Sequence, residues 1–505
     1  MTILRSGSNC MGIYESSSTG LIIDACDYYR TFYSTARKAR RYILMTGWQF
    51  DTEVALLRGK DAEKTAVDVH FIRFLEALCE KNHELEIYLL AWDFTVFFTL
   101  EREWFQDIIF NWSTNERIHF WFDNKHAFNA THHQKLVIID GEIAFVGGMD
   151  ICSSRWDDRQ HLLENLERKD ADGTIYGSYH DIQSYHTGPI VKELVDIFRQ
   201  RWSDSGAGTL RLSTSDGHVP AFDKASLFPL AAARVAVSRT QAKNLQPPLK
   251  EILEVRTLFI DAIMAAEKLI YLENQYFSSQ AIYWTLIDRL TTPDKSRLQI
   301  VMILPDRLPY TEELFLGLPQ MKMLRSLQQV ADENGHDLRV YSTICVKDGE
   351  RKMTFIHSKL LLVDDHFLTI GSANITNRSM KLDTELNVTW EAESEKDAAL
   401  INTIRRVRTS LLAEHAGLYG QDAEHQFVQV DGLINRLDHL VADPETRLCR
   451  YSPEPPLESP WPDALLEPIA RIVDPEEDFF ENISTYTAKA FAKGVRLLNQ
   501  IIAGI

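Results

Sequence analysis

Residues 131–140 read Thr-His-His-Gln-Lys-Leu-Val-Ile-Ile-Asp, and residues 355–364 read Phe-Ile-His-Ser-Lys-Leu-Leu-Leu-Val-Asp. Both stretches fit the pattern His-x-Lys-x-x-x-x-Asp, and their histidines, His133 and His357, are 224 residues apart. A turn of small residues follows each stretch at the same spacing. One such pattern arises by chance in a few of every hundred chains of this length, roughly, but two with matching turns do not. The repetition therefore predicts a duplicated unit.

The local pattern of each stretch predicts a histidine and a lysine on one face of a strand. Side chains two positions apart along a strand point to the same face. The apolar runs 136–139 and 360–363 are typical of a strand that continues into a buried sheet. Each copy should therefore present one base and one cation from a rigid element.

Helical and extended patterns alternate along both halves of the chain, which favours an α/β fold. The predicted helices cover about 24–40, 65–81, 100–112 and 250–267, and the predicted strands cover 42–48, 85–92, 118–122, 234–238, 269–272, 298–304 and 338–341. Together they predict two similar α/β sandwich halves, each a mixed sheet flanked by helices. A pseudo-twofold axis should relate the halves and leave one shared active site between them.

The predicted domains are a first catalytic half at 1–215, a second at 216–415 and a C-terminal segment at 416–505. Residues 444–468 are rich in proline, which is typical of an extended wrap or linker. The apolar spacing from Ser484 onward indicates a terminal amphipathic helix, expected to dock on the catalytic body.

Composition restricts the classes of function. The net charge of -18 opposes sequence-independent nucleic-acid binding, which needs a basic surface. The six cysteines have no paired spacing, so neither a disulfide framework nor a zinc site is expected, and no metal is predicted. No signal peptide or membrane span is indicated, which predicts a soluble protein that is cytoplasmic or secreted without a signal peptide.

The two motifs resemble the duplicated signature of the phospholipase D superfamily. Further stretches at 155–158, 179–202, 270–277 and 370–380 are similar to the eukaryotic-type phospholipase D catalytic core. The resemblance covers roughly residues 40–390. The chain begins almost directly with that core, so no calcium-binding lipid domain is expected.

The resemblance implies a role for each motif residue. His133 is expected to form a covalent phosphohistidine, while His357 protonates the departing alcohol and then activates water. The sequence alone does not break the near symmetry of this pair. Lys135 and Lys359 are expected to neutralise the phosphoryl oxygens, with Asn374 donating a further hydrogen bond.

The small-residue turns and the motif aspartates complete the predicted site. Ser372 and Gly148 are expected beside the substrate phosphate. Asp140 and Asp364 complete the catalytic signature, although at the strand ends they are expected to brace the sheet and turns. The first-half counterpart of Asn374 is Asp150, which cannot donate a hydrogen bond when ionised and is expected to be structural.

Each catalytic imidazole needs an acceptor that fixes its tautomer. By resemblance that acceptor lies downstream in the opposite half, which points to Glu385 for His133 and to Asp157 for His357. Asp383, Asp158 and Asp181 compete for these positions. The other histidines considered, which are His126, His132, His180 and His186, are expected to be satisfied surface or core residues.

Three functions compete on this site. The favoured one is a phospholipase D that acts on a glycerophospholipid at a membrane surface, with water or an alcohol as the acceptor, no cofactor and a monomeric state. A phosphodiesterase of nucleic acids is opposed by the net charge, and a cardiolipin-synthase-like transferase by the missing membrane anchor. A degenerate scaffold would have lost a motif residue, and none is lost.

Two apolar segments are candidates for contact with a bilayer. The aromatic segment from Phe94 to Phe105 is expected to be core. The stretch 314–318, a glycine amid apolar residues, is the better interfacial candidate.

Overall fold

The computed structural model describes residues 2–93, 114–127, 129–213, 217, 219, 222, 227–245, 247–309, 312–452 and 473–475. The predicted helix over 100–112, the side chains from Phe94 to Phe105 and the predicted terminal helix lie outside these residues.

The described strands are β1 (Gly12–Glu15), β2 (Ser18–Ile23), β3 (Tyr42–Gly47), β4 (Glu86–Trp92), β5 (Ile118–Asp123), β6 (Leu136–Ile139), β7 (Ile143–Gly147), β8 (Ser178–His180), β9 (Ile182–Thr187), β10 (Leu227–Leu230), β11 (Arg234–Gln241), β12 (Asn244–Leu245), β13 (Pro248–Leu249), β14 (Ile252–Leu253), β15 (Leu269–Glu273), β16 (Gln299–Ile303), β17 (Asp337–Lys347), β18 (Glu350–Ile356), β19 (Leu360–Val363), β20 (Phe367–Gly371), β21 (Glu385–Glu391) and β22 (Leu448–Arg450).

The described α-helices are α1 (Ala25–Ala36), α2 (Gly59–Glu63), α3 (Phe71–Lys81), α4 (Ile190–Ser205), α5 (Glu254–Ala265), α6 (Gln280–Thr291), α7 (Leu318–Glu333), α8 (Asn377–Lys381), α9 (Ala398–Ala416), α10 (Gln421–His425) and α11 (Leu433–Val441). A π-helical turn covers Glu313–Gly317 and a 3-10 turn covers Glu395–Asp397.

Two mixed sheets repeat one strand order. The first contains β2-β9-β7-β6-β3-β4-β5, and the second contains β11-β21-β20-β19-β15-β16-β17 in the corresponding places. In both, the first four pairings are antiparallel and the last two are parallel. The α/β class and the mixed sheets flanked by helices are therefore confirmed, and the pseudo-twofold axis stays a prediction.

The strands that carry the motifs are buried on both faces. Every residue of β3, β6, β15 and β19 is buried, which explains their nearly continuous apolar sequences. Helices α1 and α3 cover one face of the first sheet, and α5, α6 and α7 cover one face of the second. A central core joins side chains of both sheets with α4, α9 and α11.

Several strands cross between the halves. β1 pairs with β11, and β8 pairs in parallel with β18, so the second sheet includes two strands from the first half of the chain. β10 pairs with β2 in the first sheet, and β22, from the C-terminal segment, pairs with β17. Neither sheet is therefore built only from its own predicted domain.

The predicted elements differ from the observed ones mainly at their ends. The helix predicted from residue 65 begins at Phe71, because His70 is extended and bridges Ala55. The strand predicted over 338–341 continues to Lys347, because β18 and β22 both pair with its second part. The stretch 314–318 lies in the π-helical turn and the start of α7, which corrects its prediction as a loop, and Leu316 is buried. Its contact with a bilayer stays a prediction.

Candidate active site

The His-x-Lys residues lie immediately before strands β6 and β19, which corrects the prediction that they lie within a strand. The ladder between β3 and β6 ends at Leu136, and the chain before it turns toward the other half. There the His133 N–H donates to the Thr384 carbonyl at 2.9 Å. The equivalent His357 N–H donates to the His180 carbonyl at 2.8 Å. Both motifs are thus held across the junction of the two sheets.

A carboxylate follows each of these carbonyl groups in sequence and contacts the histidine ring. Glu385 Oε2 lies 3.1 Å from His133 Nδ1. Asp181 Oδ2 lies 2.6 Å from His357 Nδ1. The structure thus places Glu385 where the sequence predicted it, and Asp181 instead of Asp157 beside His357.

Asp157 is engaged elsewhere, which is the physical reason for that correction. Its carboxylate contacts His161 Nδ1 at 2.9 Å and Arg168 Nη1 at 3.1 Å, and it accepts the Tyr179 N–H at 3.0 Å. The order of the strands in the two sheets identifies Asp181 as the acceptor, which the sequence spacing did not. Glu385 opens β21 and Asp181 immediately precedes β9, and these strands occupy corresponding places in the two sheets.

The opposite nitrogen of each ring faces the site. The His133 and His357 side chains are 11% and 10% exposed, so a substrate can reach them. Within the described part of the chain, neither Nε2 atom has a hydrogen-bond partner. With Nδ1 held by a carboxylate, Nε2 of either ring is left to act as a nucleophile or a proton carrier.

The two lysines have different neighbours. Lys135 Nζ forms an ion pair with Asp150 Oδ2 at 3.0 Å and donates to the His133 carbonyl. Lys359 Nζ donates to the His357 carbonyl and to Gln275 Oε1, which are neutral acceptors. Asp150 therefore anchors the first lysine, as its predicted structural role requires.

Burial and nearby cations perturb the second motif. Burial, followed by the charges of Lys135 and Arg155, lowers the pKa of Lys359 to about 7. Burial, then Lys359, Arg155, Lys135 and His133, holds the pKa of His357 well below its usual range. Because residues of the first motif act on the second, the two motifs share one electrostatic environment.

The two carboxylates respond oppositely to burial. Burial raises the pKa of Asp181 to about 7, although the charge of Lys359 opposes this. Burial also acts to raise the pKa of Glu385, but the contact with His133 and the hydrogen bond from Ser372 lower it overall. Glu385 therefore stays ionised beside His133, whereas Asp181 titrates near neutral pH.

The small-residue turns support these carboxylates. Ser372 is fully buried, and its hydroxyl donates to Glu385 Oε2 at 2.5 Å. A Cβ on Gly148 would lie 2.2 Å from Asp181 Oδ1, so only glycine leaves room for that side chain. These contacts explain why both residues are small, and their predicted contact with the substrate stays a prediction.

The motif aspartates close the turns at the strand ends. Asp140 accepts hydrogen bonds from the N–H groups of Arg40, Arg41 and Tyr42. Asp364 does the same for Glu267, Lys268 and Leu269. Both carboxylates are thus occupied in holding these turns, and their contacts do not indicate a direct role in catalysis.

Two further polar groups concern the site, Asn374 by prediction and Arg155 by its effect on His357. Asn374 is buried, and its Oδ1 has no hydrogen-bond partner among the described residues. Arg155, the first residue of the stretch 155–158, places its guanidinium 5.0 Å from the Tyr179 ring centroid and lowers the pKa of His357. Its arginine type beside a histidine-lysine motif was the signal that could have identified it.

Two of the other histidines have hydrogen-bond partners as the sequence predicted: His126 accepts from Trp92, and His186 contacts Thr19 and Ser184. His132 contacts Thr384 through Nδ1, whereas its buried Nε2 lies 3.1 Å from Asp123 Oδ2 without an aligned hydrogen bond. His180, in contrast, lies in a dense cluster of charged groups.

Two sheets of the same strand order that meet at a pair of carboxylate-held histidines, each with a buried lysine, define the class of duplicated His-x-Lys proteins. Comparisons with known families agree. A family profile described as Phospholipase D matches residues 35–308, and one described as Cardiolipin synthase, PLD-like domain, matches residues 259–406. The chain belongs to the phospholipase D family.

Its relatives are distant. The chain is 23% identical to phospholipase D beta 2 of Arabidopsis thaliana over 75% of this chain and 55% of the relative. It is 23% identical to phospholipase D alpha 2 of the same plant over 83% of this chain and 65% of the relative. The chain therefore spans between about half and two thirds of the length of these plant proteins.

Solved structures also resemble the chain. A phosphatidylserine synthase from Haemophilus influenzae Rd KW20 matches with a TM-score of 0.49 and 12% identity, over 85% of this chain and 95% of that one. Nuc, a phospholipase D family member from Salmonella typhimurium, matches with a TM-score of 0.23 and 17% identity, over 34% of this chain and 91% of that one. In the described residues, no helix is both long and apolar enough to cross a bilayer.

Proposed function

We propose that this protein is a phospholipase D. It would hydrolyse glycerophospholipids such as phosphatidylcholine or phosphatidylethanolamine to phosphatidic acid and a free head group. The observation that carries the proposal is the pair of imidazoles at the sheet junction, each held at Nδ1 by a carboxylate from the opposite half. That arrangement provides one nucleophile and one proton carrier for a single phosphorus centre.

The reaction proceeds in two displacements. His133 Nε2 attacks phosphorus, the bond to the head-group oxygen breaks, and His357 gives that oxygen a proton. His357 then takes a proton from water, whose oxygen displaces His133 and releases phosphatidic acid. An alcohol in place of water gives the exchanged phospholipid, which is transphosphatidylation.

Substrate binding prepares His357 for its role as an acid. The cations Lys359, Arg155 and Lys135 contribute to holding its pKa low in the free protein. An anionic phosphodiester offsets these charges, so it favours the protonated imidazole. Lys135, Lys359 and Asn374 then surround the phosphoryl oxygens with charge and hydrogen-bond donors.

Phosphorus NMR of zwitterionic vesicles in buffer containing ethanol tests this proposal. Phosphatidic acid and phosphatidylethanol should both appear. The Lys135→Met variant should form neither, and a His186→Gln control, altered in a buried histidine outside the site, should form both. If the wild-type protein makes neither product, the proposal fails, and nicking of DNA by the same preparation would favour a nuclease.

Trapping the intermediate tests the assignment of the histidines. With a phosphorus-labelled phosphodiester whose leaving group is a phenolate that needs no proton, the His357→Asn variant should accumulate labelled protein, because His133 still attacks but water is not activated. The His133→Asn variant should remain unlabelled. The opposite pattern of labelling would exchange the two roles.

A phosphatidyltransferase is the second candidate, and the match of residues 259–406 to the cardiolipin synthase profile favours it. The two functions share the phosphohistidine and differ in the acceptor alcohol. With phosphatidylglycerol as the only lipid, a transferase would form cardiolipin, whereas a hydrolase would form phosphatidic acid. The ratio of these products in water separates the two.

The chemistry on phosphorus is proposed to need no metal ion. Two lysines supply the positive charge that a metal provides in other phosphoryl-transfer sites. Addition of EDTA to the assay should therefore leave the rate unchanged, and added divalent cations should not raise it. A rate that falls within the mixing time of EDTA and is restored by calcium or magnesium would contradict this.

A further inference from the structure

A buried cluster of charged groups lies behind the second motif. It contains four carboxylates, Asp24, Asp157, Glu273 and Glu414, all nearly or completely inaccessible to solvent. Two guanidinium groups neutralise part of this charge, because Arg168 binds Asp157 and Arg159 binds Glu414. Two negative charges remain, and a buried site requires that they be compensated.

Two histidines in the cluster have carboxylate oxygens at both ring nitrogens. His161 places Nδ1 2.9 Å from Asp157 Oδ2 and Nε2 3.0 Å from Glu414 Oε1. His180 places Nε2 3.1 Å from Glu273 Oε2 and Nδ1 3.0 Å from Asp24 Oδ1. A neutral imidazole has one N–H, and an ionised carboxylate cannot donate a hydrogen bond. Either a second proton on each ring or a cation held between the remaining nitrogens and oxygens must therefore supply the missing positive charge.

The geometry around His180 Nδ1 indicates where that charge lies. This atom is 3.0 Å from both Asp24 Oδ1 and Glu414 Oε1, yet it is aligned for a hydrogen bond with neither. Asp24 Oδ2 is likewise buried without a hydrogen-bond partner, 3.3 Å from His161 Nε2. Two of the four groups thus place a buried atom near a partner without an aligned hydrogen bond, as expected around a shared centre, whereas His161 Nε2 is aligned with Glu414 Oε1.

We infer that Asp24, His161, His180 and Glu414 bind a divalent transition-metal ion of the zinc type. Donor atoms of these four residues all lie within 4.8 Å of one another, and four nitrogen-to-oxygen separations among them are 3.0 to 3.3 Å. Tetrahedral zinc with bonds of about 2.0 Å places its donors about 3.3 Å apart. Two imidazoles with two carboxylates suit zinc better than calcium or magnesium, which prefer oxygen ligands alone.

The surrounding groups match the outer layer of a metal site. The ring nitrogen of His161 that faces away from the centre contacts Asp157, and that of His180 contacts Glu273. Histidine ligands commonly donate their second N–H to a carboxylate in this way, which fixes the tautomer that binds the metal. The bound ion would supply the two missing positive charges while both imidazoles stay neutral.

The site would be structural and would support the second motif. Glu273 accepts a hydrogen bond from Ser358, which lies between His357 and Lys359. The His180 carbonyl holds the His357 backbone, and Asp181 follows His180 in sequence. The ion would thus join the start of α1, the segment before β9 and the end of α9 behind the site. This inference does not rest on the proposed reaction.

Metal analysis of the purified full-length protein tests the inference. Plasma mass spectrometry after exhaustive dialysis should find about one zinc-type ion per chain. The Glu414→Gln and His161→Gln variants should each retain at least about tenfold less of the ion per chain, because each removes a ligand. The His186→Gln control has an intact cluster and should retain it.

Cobalt substitution identifies the ligands directly. Protein produced with Co²⁺ in place of zinc should show the visible absorption of a tetrahedral site, and Glu414→Gln should abolish or shift it. Metal-free wild-type protein would overturn the inference, because two protonated imidazoles would then balance the cluster. Calcium or magnesium alone would overturn the assigned class of ion. These outcomes are independent of lipid turnover, so they are distinguishable from failure of the proposed function.

Discussion

The orientation of each motif histidine depends on one carboxylate from the other half of the chain. Glu385 and Asp181 occupy equivalent places, but burial raises the pKa of Asp181 to about 7, whereas the contacts of Glu385 lower its pKa. The two histidines therefore work in different electrostatic settings. This difference is consistent with one acting as the nucleophile and the other as the proton carrier.

Replacement of Asp181 should show that it, and neither Asp157 nor Asp158, orients His357. The Asp181→Asn variant should lower kcat on the order of 10²–10⁴-fold, because the imidazole loses the acceptor that sets its tautomer. The matched Asp158→Asn variant changes a half-buried carboxylate that contacts Asn165 and not a motif histidine, so kcat should hardly change. Steady-state kinetics on a short-chain phospholipid measures both, and equal losses would contradict the assignment.

The charge of Lys359 should control the alkaline side of the pH profile. Its pKa of about 7 means that the free protein loses this cation as the pH rises through neutrality, so kcat/KM should fall there. A bound phosphodiester favours the protonated lysine, and the fall in kcat should therefore occur at higher pH. Measurement of kcat and kcat/KM between about pH 5 and pH 10 shows the alkaline fall in each quantity.

The Lys359→Arg variant provides the control for that profile. Arginine keeps its proton throughout this range, so the alkaline fall in kcat/KM should move to higher pH even if the rate is lower. An unchanged alkaline limb would assign the titration to another group.

Among the structural elements, the turns that precede β3 and β15 carry much of the support for the motifs. Each turn directs three consecutive N–H groups at one motif aspartate, Asp140 or Asp364. Both aspartates have positive φ, at 56° and 52°, and aspartate tolerates this conformation better than most residues. The aspartate that ends each motif thus fixes the turn at the end of the strand that follows the catalytic lysine.

Removal of the Asp140 carboxylate should affect the stability of the fold more than the catalytic rate. The Asp140→Ala variant leaves three N–H groups without their acceptor and should lower the free energy of unfolding by about 2 to 3 kcal/mol. The Asp140→Asn variant keeps one acceptor oxygen and tolerates positive φ, so its loss should be smaller. Chemical denaturation of the two variants measures the difference. Equal stability of Asp140→Ala and the wild type would show that water replaces the carboxylate.

The whole chain combines a duplicated pair of sheets with a strongly negative net charge of -18. The site itself gathers the cations Lys135, Lys359 and Arg155 beside the carboxylates of Asp150, Asp181 and Glu385. Low-dielectric surroundings strengthen the local field at a cleft, whereas salt screens the overall field in solution. A single anionic phosphodiester can therefore bind to a molecule that an anionic surface repels.

This balance predicts how the proposed lipid hydrolysis depends on salt. Turnover on vesicles enriched in anionic lipid should be slow at low ionic strength and should increase with added salt, because salt screens the repulsion. Turnover on purely zwitterionic vesicles should depend little on salt. Phosphatidic acid release at matched lipid concentration measures both, and faster turnover on anionic vesicles at low salt would indicate a basic docking surface.

Much of the fold and site is encoded in local sequence. The duplicated His-x-Lys patterns, the apolar runs of β6 and β19 and the alternation of helices and strands identified the repeated α/β unit and the four residues at its centre. These features are predictable because side-chain periodicity and residue chemistry are properties of short segments. Glu385 was also placed correctly, but through resemblance rather than periodicity.

The tertiary structure alone decided which distant groups meet. Asp181 contacts His357, while Ser372 and Gly148 lie against the two carboxylates that hold the histidines. Strands β1, β8 and β10 each pair with strands of the other half and so join the sheets. Asp24, His161, His180 and Glu414 converge although no spacing links them. Such contacts depend on how the sheets pack, since burial and charge at a junction are set by chain segments far apart in sequence.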